Sequence, residues 1–379
     1  MKYLYLCIMI CSLISCKTTE EQLSVPIKYS NSSLLLSDIV ENYDIIQFES
    51  TVNSTIGNIK KIAFLKDRLF ILDKKNNCVL SFDNNGRFLN SSKSLIGNAK
   101  GEYISIEDIA VDNETSTLYM FCDRPNKIII LNKNLEFIKE KNLNVFPIEI
   151  VISGQYLYCY CYEHDNIKKR SLVRLDKNLT NDNIDILYNT SETIPGIDSF
   201  GASLSGNNGN EVTFCAPFSN SFIHNKNKIL MTHYLDFGDK WYSYEDSKDL
   251  QPKEFLKNNE NTIWAIKNIC SNNNRIFFTT NQSFVFDYDT EKMICTGYKG
   301  IENDILPLNS PFIVPKQGMD GYIAISISVS SILQLKENKD LIIPNFENKY
   351  KCKLDKRIES IIDTYTETSN PIIIMYKLN

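Results

Sequence analysis

Three carboxylate side chains stand close together in the sequence, at Glu102, Glu107 and Asp108, beside Gly101 and Tyr103. Such residues could perform acid–base chemistry, because a glycosidase uses two carboxyl groups roughly 5–9.5 Å apart, one of them as the proton donor. Spacing along a connecting loop does not fix the distance between two side chains, and Gly101 is typical of a turn. The cluster therefore has two interpretations, a catalytic pair or solvated residues of a connector.

Other residue types that support catalysis or metal binding are sparse. The histidines, His164, His224 and His233, fall in different predicted sheets, whereas a metal centre needs several ligands that converge. No two cysteines have the CxxC spacing of a zinc site. The sequence contains no GxSxG, P-loop or dinucleotide-binding motif, and its Asp/Asn-rich turns lack the terminal Glu of a calcium loop. We predict no catalytic residue, no metal site and no cofactor.

Large aromatic and cationic residues in predicted loops are the candidates for ligand binding: Tyr103, Arg124, Trp241 and Tyr242. Exposed aromatic rings stack on sugars or anchor protein partners. Trp241 and Tyr242 belong to an aromatic, polar stretch at 237–246. Packing at the edge of a sheet would explain the same residues, so binding and structural interpretations both stay open.

The N-terminus predicts export and a lipid anchor. Lys2 precedes an apolar run at 3–14, which is too short to span a bilayer and matches the core of a signal peptide. The run ends in Leu-Ile-Ser-Cys at 13–16, which resembles the bacterial lipobox. We expect a signal peptide at 1–15, a lipid on Cys16 and a tether within 16–38; an ordinary signal peptide with an incidental cysteine is the alternative. The expected location is the cell envelope, anchored to the outer membrane, with the periplasmic or surface side left open.

Composition excludes some functions. Of 379 residues, 43% are hydrophobic, enough to fill a core, and the net charge is −5. Nucleic-acid-binding domains carry a basic excess, so we expect no nucleic-acid partner. The predicted partners are the membrane, through the anchor, and a glycan, a peptide or an envelope protein.

A repeat defines the elements that would position these residues. "LFILDKKNNCVLSFDNNGRFL" at 69–89 returns in altered form as "LYMFCDRPNKIIILNKNLEFI" at 118–138. Each copy, with the alternating segment before it, reads as four short antiparallel strands joined by tight turns. Units of this kind that recur every 40 to 50 residues are typical of propeller blades. We predict an all-β, six-bladed β-propeller of four-stranded antiparallel blades over 39–379, with a seventh blade left open near 190–260.

The C-terminal region interrupts this pattern. Apolar residues from Tyr350 to Tyr365 have helical spacing, which predicts one helix around Lys349–Thr364, inserted in the last blade. The strand-like "NPIIIMYKLN" then ends the chain. We expect it to pair with "NYDIIQFES" near the start, so that both ends of the chain complete one blade and close the ring.

These features together resemble the six-bladed β-propeller lipoproteins abundant in Bacteroidota, which are distantly similar to NHL-repeat propellers. The matching pieces span nearly the whole mature chain. They are the Cys16 motif, "LSDIVENYDIIQFES", residues 56–89, "GEYISIEDIAVD", "PFSNSFI" and "NPIIIMYKLN". The Gly-rich loop that the family carries before its GEY triplet is reduced here to 97–101. The resemblance implies an envelope propeller and implies no particular reaction.

Three functional hypotheses follow. The first is an envelope propeller that binds a ligand or protein partner without catalysis. The second is a component of an outer-membrane uptake or export assembly, which a large exposed apolar patch would favour. The third is a propeller lyase or hydrolase that acts on polysaccharide or peptidoglycan, which carboxylates or histidines converging at the channel mouth would favour.

Overall fold

A computed structural model describes the fold of residues 24–163, 166–180, 182–190, 203–206, 211–216, 218–226, 229–242, 245–272, 274–282, 284–308 and 322–379. The protein is mostly β, and its strands form successive antiparallel sheets in chain order. Within the described residues, no helix has an apolar stretch long enough to cross a bilayer.

The first three sheets each contain four consecutive strands. Sheet 1 is β4 (Ile59–Leu65), β5 (Arg68–Asp73), β6 (Cys78–Asp83) and β7 (Phe88–Ser91). Sheet 2 is β8 (Ser105–Asp112), β9 (Thr117–Arg124), β10 (Asn126–Asn132) and β11 (Phe137–Asn142). Sheet 3 is β12 (Phe146–Ser153), β13 (Tyr156–Glu163), β14 (Asn166–Asp176) and β15 (Asp185–Thr190).

The next sheets repeat the pattern until the last one. Sheet 4 is β16 (Ser203–Gly206), β17 (Glu211–Cys215), β18 (Ser221–Lys226) and β19 (Ile229–Asp236). Sheet 5 is β20 (Ile266–Asn272), β21 (Arg275–Thr280), β22 (Val285–Asp289) and β23 (Ile294–Tyr298). Sheet 6 has three strands among the described residues, β25 (Tyr322–Ile327), β26 (Ile372–Leu378) and β3 (Val40–Gln47).

Strand burial explains why these segments form stacked sheets. Nearly every residue of β4 and β5 is buried, rather than every second one. A strand is buried on both sides only when its sheet is covered on both faces. The turns supply the required geometry: Gly86, between β6 and β7, has φ +80°, and a Cβ there would lie 2.1 Å from the Gln47 carbonyl oxygen. Glycine is therefore required at this hairpin turn.

Within the part of the chain that the structure describes, six apolar clusters join the sheets in a closed circuit. Each cluster contains residues of two neighbouring sheets, and the last returns from sheet 6 to sheet 1. One residue from each side of each interface identifies them: Leu72 and Ile109, Ile130 and Ile152, Tyr160 and Phe214, Phe222 and Phe278, Phe277 and Ile325, Met375 and Ile62. This stacking of antiparallel sheets around a circuit is the arrangement of a β-propeller.

Sheet 6 joins the two ends of the chain, as the sequence predicts. The C-terminal strand β26 lies in the middle of the sheet, with β25 on one side and β3 on the other. Ile372 is aligned with Gln47 of β3, and Tyr376 with Tyr43. Asn370, just before β26, hydrogen bonds to the segment that leaves β3.

Residues before β3 differ from the tether expected over 16–38. Ser24–Tyr29 forms β1, which runs parallel to β19 through Ser24–Pro26 and then parallel to β23 through Ile27–Tyr29. A two-residue strand, β2 (Leu34–Leu35), pairs with β24 (Ile301–Glu302). The ordered part of the chain therefore includes Ser24 and does not begin at 39. The buried Val25 and half-buried Ile27 provide the reason, since they pack between sheets 4 and 5.

Three helices lie near the C-terminus, where the sequence predicts a single one. The insertion between β25 and β26 contains three, α2 (Val329–Glu337), α3 (Lys339–Tyr350) and α4 (Lys356–Thr364), and the described residues also include α1 (Pro252–Asn258). The predicted helix over Lys349–Thr364 corresponds to the end of α3 and all of α4. Lys351, in the left-handed conformation at φ 55°, ends α3, and Asp355 caps α4. Helical spacing alone did not reveal this break.

Candidate functional site

The N-terminal ends of β4 and β8, the first strands of sheets 1 and 2, define one face of the molecule. Lys60 near the start of β4 pairs with Glu107 near the start of β8, while Asp67 after β4 pairs with Lys133 at the opposite end of sheet 2. The two sheets therefore have the same orientation. We call the side that carries the segments leading into β4 and β8 the front face. The turn after β9, with Arg124, lies on this face because Ser105 at the start of β8 is aligned with Arg124.

Tyr103 anchors the connection at 92–104, which joins sheet 1 to sheet 2 on the front face. Its side chain is fully buried. Its hydroxyl lies 2.8 Å from Ser92 Oγ and 3.1 Å from the carbonyl oxygens of Asn77 and Ser92. Burial raises the pKa of Tyr103 well above its ordinary value. Tyr103 is thus a support for the loop, which corrects its proposed role as a ligand contact.

Further hydrogen bonds make the connection rigid. Glu102 accepts a hydrogen bond from the backbone N–H of Ala99 at 2.8 Å. The Gly101 N–H donates to Glu140 Oε2 at 2.9 Å, and Lys127 pairs with the same oxygen at 2.6 Å. A loop fixed in this way presents its remaining side chains with little loss of entropy on binding.

An apolar and cationic patch lies on this rigid connection. Ile96 and Ile104 are each 47% exposed, and the Arg124 side chain is 75% exposed. The three are held together through the backbone: the Ile104 N–H donates to the Arg124 carbonyl at 2.9 Å, and Ile96 forms a bridge with Tyr103. We call Ile96, Ile104 and Arg124 the front patch. Arg124, one of the residues predicted from the sequence to bind a ligand, is exposed on the surface beside other exposed side chains.

A half-exposed ionic cluster lies next to this connection. Glu107 pairs with Lys60, and with Lys74 at 2.7 Å. Lys74 also donates to the Ile106 carbonyl at 2.9 Å. Burial raises the pKa of Glu107, but hydrogen bonds from Lys60 and Lys74 outweigh it and hold the pKa below its ordinary value. A carboxylate with this environment stays ionised and is poorly suited to donate a proton.

Asp108 takes part in buried polar contacts that link β4, β8 and β12, the first strands of sheets 1, 2 and 3. Lys61 Nζ of β4 lies 2.8 Å from Asp108 Oδ2 of β8 and donates to the Ile150 carbonyl of β12 at 2.8 Å. The Ile150 N–H donates to the same carboxylate oxygen at 2.7 Å. Both charged side chains are at most 3% exposed. The acidic cluster therefore consists of three carboxylates with separate structural partners, and the structure does not bring them together as an acid–base pair.

Trp241 and Tyr242 pack within the connection at 237–265, which leads into β20. Tyr242 is buried against Phe218, and its hydroxyl donates to the Phe218 carbonyl at 3.3 Å. Trp241 is half-buried and stacks on Phe237, with ring centroids 5.1 Å apart. Tyr242 is therefore a core residue and not a ligand contact, because its ring fills the space between this connection and sheet 4. Trp241 keeps one partly exposed side.

The remaining candidate residues separate into two groups. His224 and His233 are buried on neighbouring strands of the same sheet, sheet 4, which corrects the prediction that they fall in different sheets. Cys16 and His164 lie outside the described residues. Among the residues that the structure describes, no group of three His, Cys, Asp or Glu side chains could hold a metal ion. The eight cysteines in this part of the chain are unpaired, and all except Cys352 are buried.

Sequence reasoning did not identify the lysines of the front face. Lys60 and Lys61 occupy adjacent positions in β4, where the pairing with β5 shifts between Ile59 and Lys61. Such a β-bulge turns neighbouring side chains in new directions. The pair "KK" within an otherwise apolar strand was the available signal, since a charged pair there needs buried partners.

Comparisons with known proteins agree with this fold. A family described as "Domain of unknown function (DUF4934)" matches residues 21–377. A solved structure of a protein from Bacteroides fragilis, described as exported, has a TM-score of 0.71 at 14% identity and covers 93% of this chain and 99% of its own. A DUF4221 family member from Bacteroides vulgatus has a TM-score of 0.52 at 10% identity, with coverages of 90% and 97%. No curated protein matches.

Proposed function

This chain belongs to the DUF4934 family, and we propose that it is an exported, lipid-anchored six-bladed propeller that binds a peptide or protein partner through its front patch. Binding would be non-covalent. The observation that carries this proposal is the exposure of Ile96, Ile104 and Arg124 on a connection fixed by buried hydrogen bonds.

Among the described residues, six sheets of three or four strands, two of them joined by β1, and six clusters between neighbouring sheets support a propeller with six blades. In this proposal sheet 6 is the closing blade, completed by both ends of the chain. β1 would strap the outer strands of blades 4 and 5 together, because it pairs with both β19 and β23.

Export and anchoring are supported by the residues at 13–16 and by the similar Bacteroides fragilis protein described as exported. Lipid on Cys16 would hold the propeller at the envelope, close to the outer membrane. The test is Cys16→Ser followed by cell fractionation and labelling with an alkyne palmitate. Loss of label together with release from membranes is expected. Retained label in Cys16→Ser would refute the anchor but leave the binding proposal intact.

The chemistry of the front patch favours a peptide over a glycan. Sugar rings are recognised by exposed aromatic faces, but Tyr103 and Tyr242 are buried. Two exposed isoleucines suit apolar side chains, and an exposed guanidinium suits a carboxylate. The partner would therefore be a segment of an envelope protein or a peptide with apolar and acidic residues.

The test uses the unlipidated mature chain with Cys16→Ser. We would titrate it with peptide arrays, glycans and peptidoglycan fragments, and repeat any binding reaction with Ile104→Asp and Arg124→Glu. Each change should weaken binding at least tenfold. Leu341→Asp is the matched control, because Leu341 is 65% exposed on α3 in the insertion of sheet 6, whereas the patch lies between sheets 1 and 2. Equal weakening by the control, or none by the patch variants, would refute the location.

Turnover must be measured in the same reactions. Product release that disappears in Glu107→Gln would replace the binding function by a catalytic one. The pairing of Glu107 with two lysines leads us to expect unchanged ligands after incubation.

A further inference from the structure

A cleft lies between α3 and α4, in the helical insertion of sheet 6. Its volume is about 310 Å³, at the lower end of the roughly 300–1,000 Å³ range of small-molecule pockets. Residues three and four positions apart share one face of a helix, so each helix presents one face to the cleft. The lining includes Lys339, Asp340 and Ile343 of α3, and Glu359, Ile362 and Asp363 of α4.

The floor of the cleft is apolar and fixed in place. Ile362 is 2% exposed and belongs to the apolar cluster that packs α4 on sheet 6. Ile343 is half-buried and packs against the same cluster from α3. A ligand with a methylene chain would therefore meet an apolar surface that needs no rearrangement before binding.

The rim of the cleft carries an excess of negative charge. Lys339 Nζ pairs with Asp363 Oδ1 at 2.6 Å. This hydrogen bond raises the pKa of Lys339, and the charges of Asp340 and Glu359 add to the effect, so both lie near the same ammonium group. Asp340 and Glu359 are exposed, and within the described residues neither has an ion-pair partner. The lining therefore keeps two unbalanced negative charges.

Two lysines beside the cleft have other partners. Lys353 pairs with Glu347 at 2.7 Å, and this contact is the main reason for its raised pKa, whereas Glu359 contributes only the effect of its charge. Lys336 donates to two carbonyl oxygens at the end of α4, at 2.8 and 2.9 Å. Neither lysine neutralises the two carboxylates of the rim.

Pro344 adds a backbone acceptor on the same side. It lies inside α3 and lines the cleft together with Asp340, one helical turn before it. Proline has no N–H, so the carbonyl of Asp340 does not receive the usual helical hydrogen bond from position 344. This carbonyl is independent of the carboxylates and is suited, as they are, to an N–H donor.

We propose that this cleft binds a linear aliphatic diamine. Two ammonium groups would balance Asp340 and Glu359 and donate charge-assisted hydrogen bonds to them. The methylene chain between them would lie over Ile343 and Ile362, as the stems of long cationic side chains lie on apolar surface. A divalent metal ion fits less well, because Mg²⁺ and Ca²⁺ require a shell of oxygen ligands and make no use of an apolar floor.

The experiment uses the mature chain with Cys16→Ser, which carries no lipid. Isothermal titration calorimetry with putrescine should show one equivalent bound. Butylamine has the same methylene chain and a single ammonium group, and it should bind at least tenfold more weakly. Asp340→Asn and Glu359→Gln should each weaken putrescine binding at least tenfold, because each removes one unbalanced charge. Ile343→Lys should abolish binding, since it places a tethered ammonium group in the cleft.

Controls separate this site from general attraction to an acidic surface. Glu337→Gln removes an exposed carboxylate at the end of α2 that does not line the cleft, and it should bind putrescine like the parent. Ile104→Asp, in the front patch, should also have no effect, so failure of this test leaves the front-patch proposal intact.

Four results would overturn the diamine site. They are unchanged binding in both Asp340→Asn and Glu359→Gln, equal affinity for butylamine, displacement of putrescine by an equal concentration of Mg²⁺, and tighter binding of a lysine-containing peptide than of putrescine. The last result would assign the cleft to a protein partner. Circular dichroism would verify that each variant is folded, which is expected because Asp340 and Glu359 are exposed.

Discussion

Asn370→Ala should destabilise the whole protein, because Asn370 holds the closing sheet to sheet 1. Its side chain is 3% exposed and makes three hydrogen bonds to the backbone. Nδ2 donates to the carbonyls of Glu49 and Ser54 at 2.8 and 2.9 Å, and Oδ1 accepts the Ile56 N–H at 2.8 Å. The segment it binds leads directly into β4. This residue therefore joins the C-terminal strand to the first blade.

The magnitude follows from the groups that lose their partner. The Glu49 carbonyl keeps the Ser54 hydroxyl as a donor at 2.7 Å. The Ser54 carbonyl and the Ile56 N–H lose the contacts described above, and each buried unsatisfied group costs about 1–3 kcal/mol. We expect a loss of about 3 kcal/mol in the free energy of unfolding. Unfolding entropies of ~2.1 cal/mol/K per residue convert this loss to a fall in Tm of about 4 °C.

Urea denaturation and calorimetry would measure this effect. Asn370→Asp has nearly the same volume but cannot donate to two carbonyls, so it should destabilise the protein at least as much as Asn370→Ala. Asn258→Ala, at the exposed end of α1, is the matched control and should change stability by less than about 0.5 kcal/mol. A loss below about 1 kcal/mol for both Asn370 variants would refute the reasoning.

Three further predictions concern the closure and the inner strands. Deleting 370–379 should abolish cooperative unfolding in calorimetry, since β26 is paired on both sides; a truncated chain that melts within two degrees of the full one would contradict this. Lys61→Met should cost roughly 3–5 kcal/mol in urea unfolding, because it leaves the buried Asp108 charge unpaired; a loss under about 1 kcal/mol would show that the pair is dispensable. The lowered pKa of Glu107 means that its contribution to stability is complete above pH 4.5 and is lost as pH falls through the lower folded-state pKa. Glu107→Gln should therefore flatten the acid side of the stability profile, and an unchanged profile would exclude this linkage.

Strand positions in sheets 1 and 2 were predictable because local pattern and turn chemistry agree there. The sequence predicts a strand in the alternating segment before the first repeat, and β4 lies there. The repeat also predicts tight turns between its strands, and Gly86 lies in one of them, between β6 and β7. Pairing of β26 with β3 was also predictable, because an apolar strand after a helical insertion needs a partner and the N-terminal region offers one.

Other features depend on contacts that spacing does not encode. β1 pairs in parallel with two strands that lie more than 200 residues later in the chain. The local sequence does not reveal such distant partners, so this segment was predicted to be part of the tether. The break between α3 and α4 depends on Lys351 adopting φ 55°. Whether Tyr103 faces the core or solvent depends on Ser92 and Asn77, and residue type does not decide this.

The charged residues of β4 and β8 restrict where a ligand can bind. Lys61 and Asp108 satisfy each other and the backbone of Ile150, so a ligand could engage them only by breaking a buried tie across three sheets. Glu107 is likewise occupied by two lysines. Binding energy spent on separating such pairs is not available for affinity. Binding at the front patch separates no buried pair, because Arg124 pairs with Asp123 at 3.7 Å on the surface and the isoleucine side chains are already exposed on a loop that Tyr103 holds in place. We therefore expect recognition at the front patch and not at the axis of the propeller.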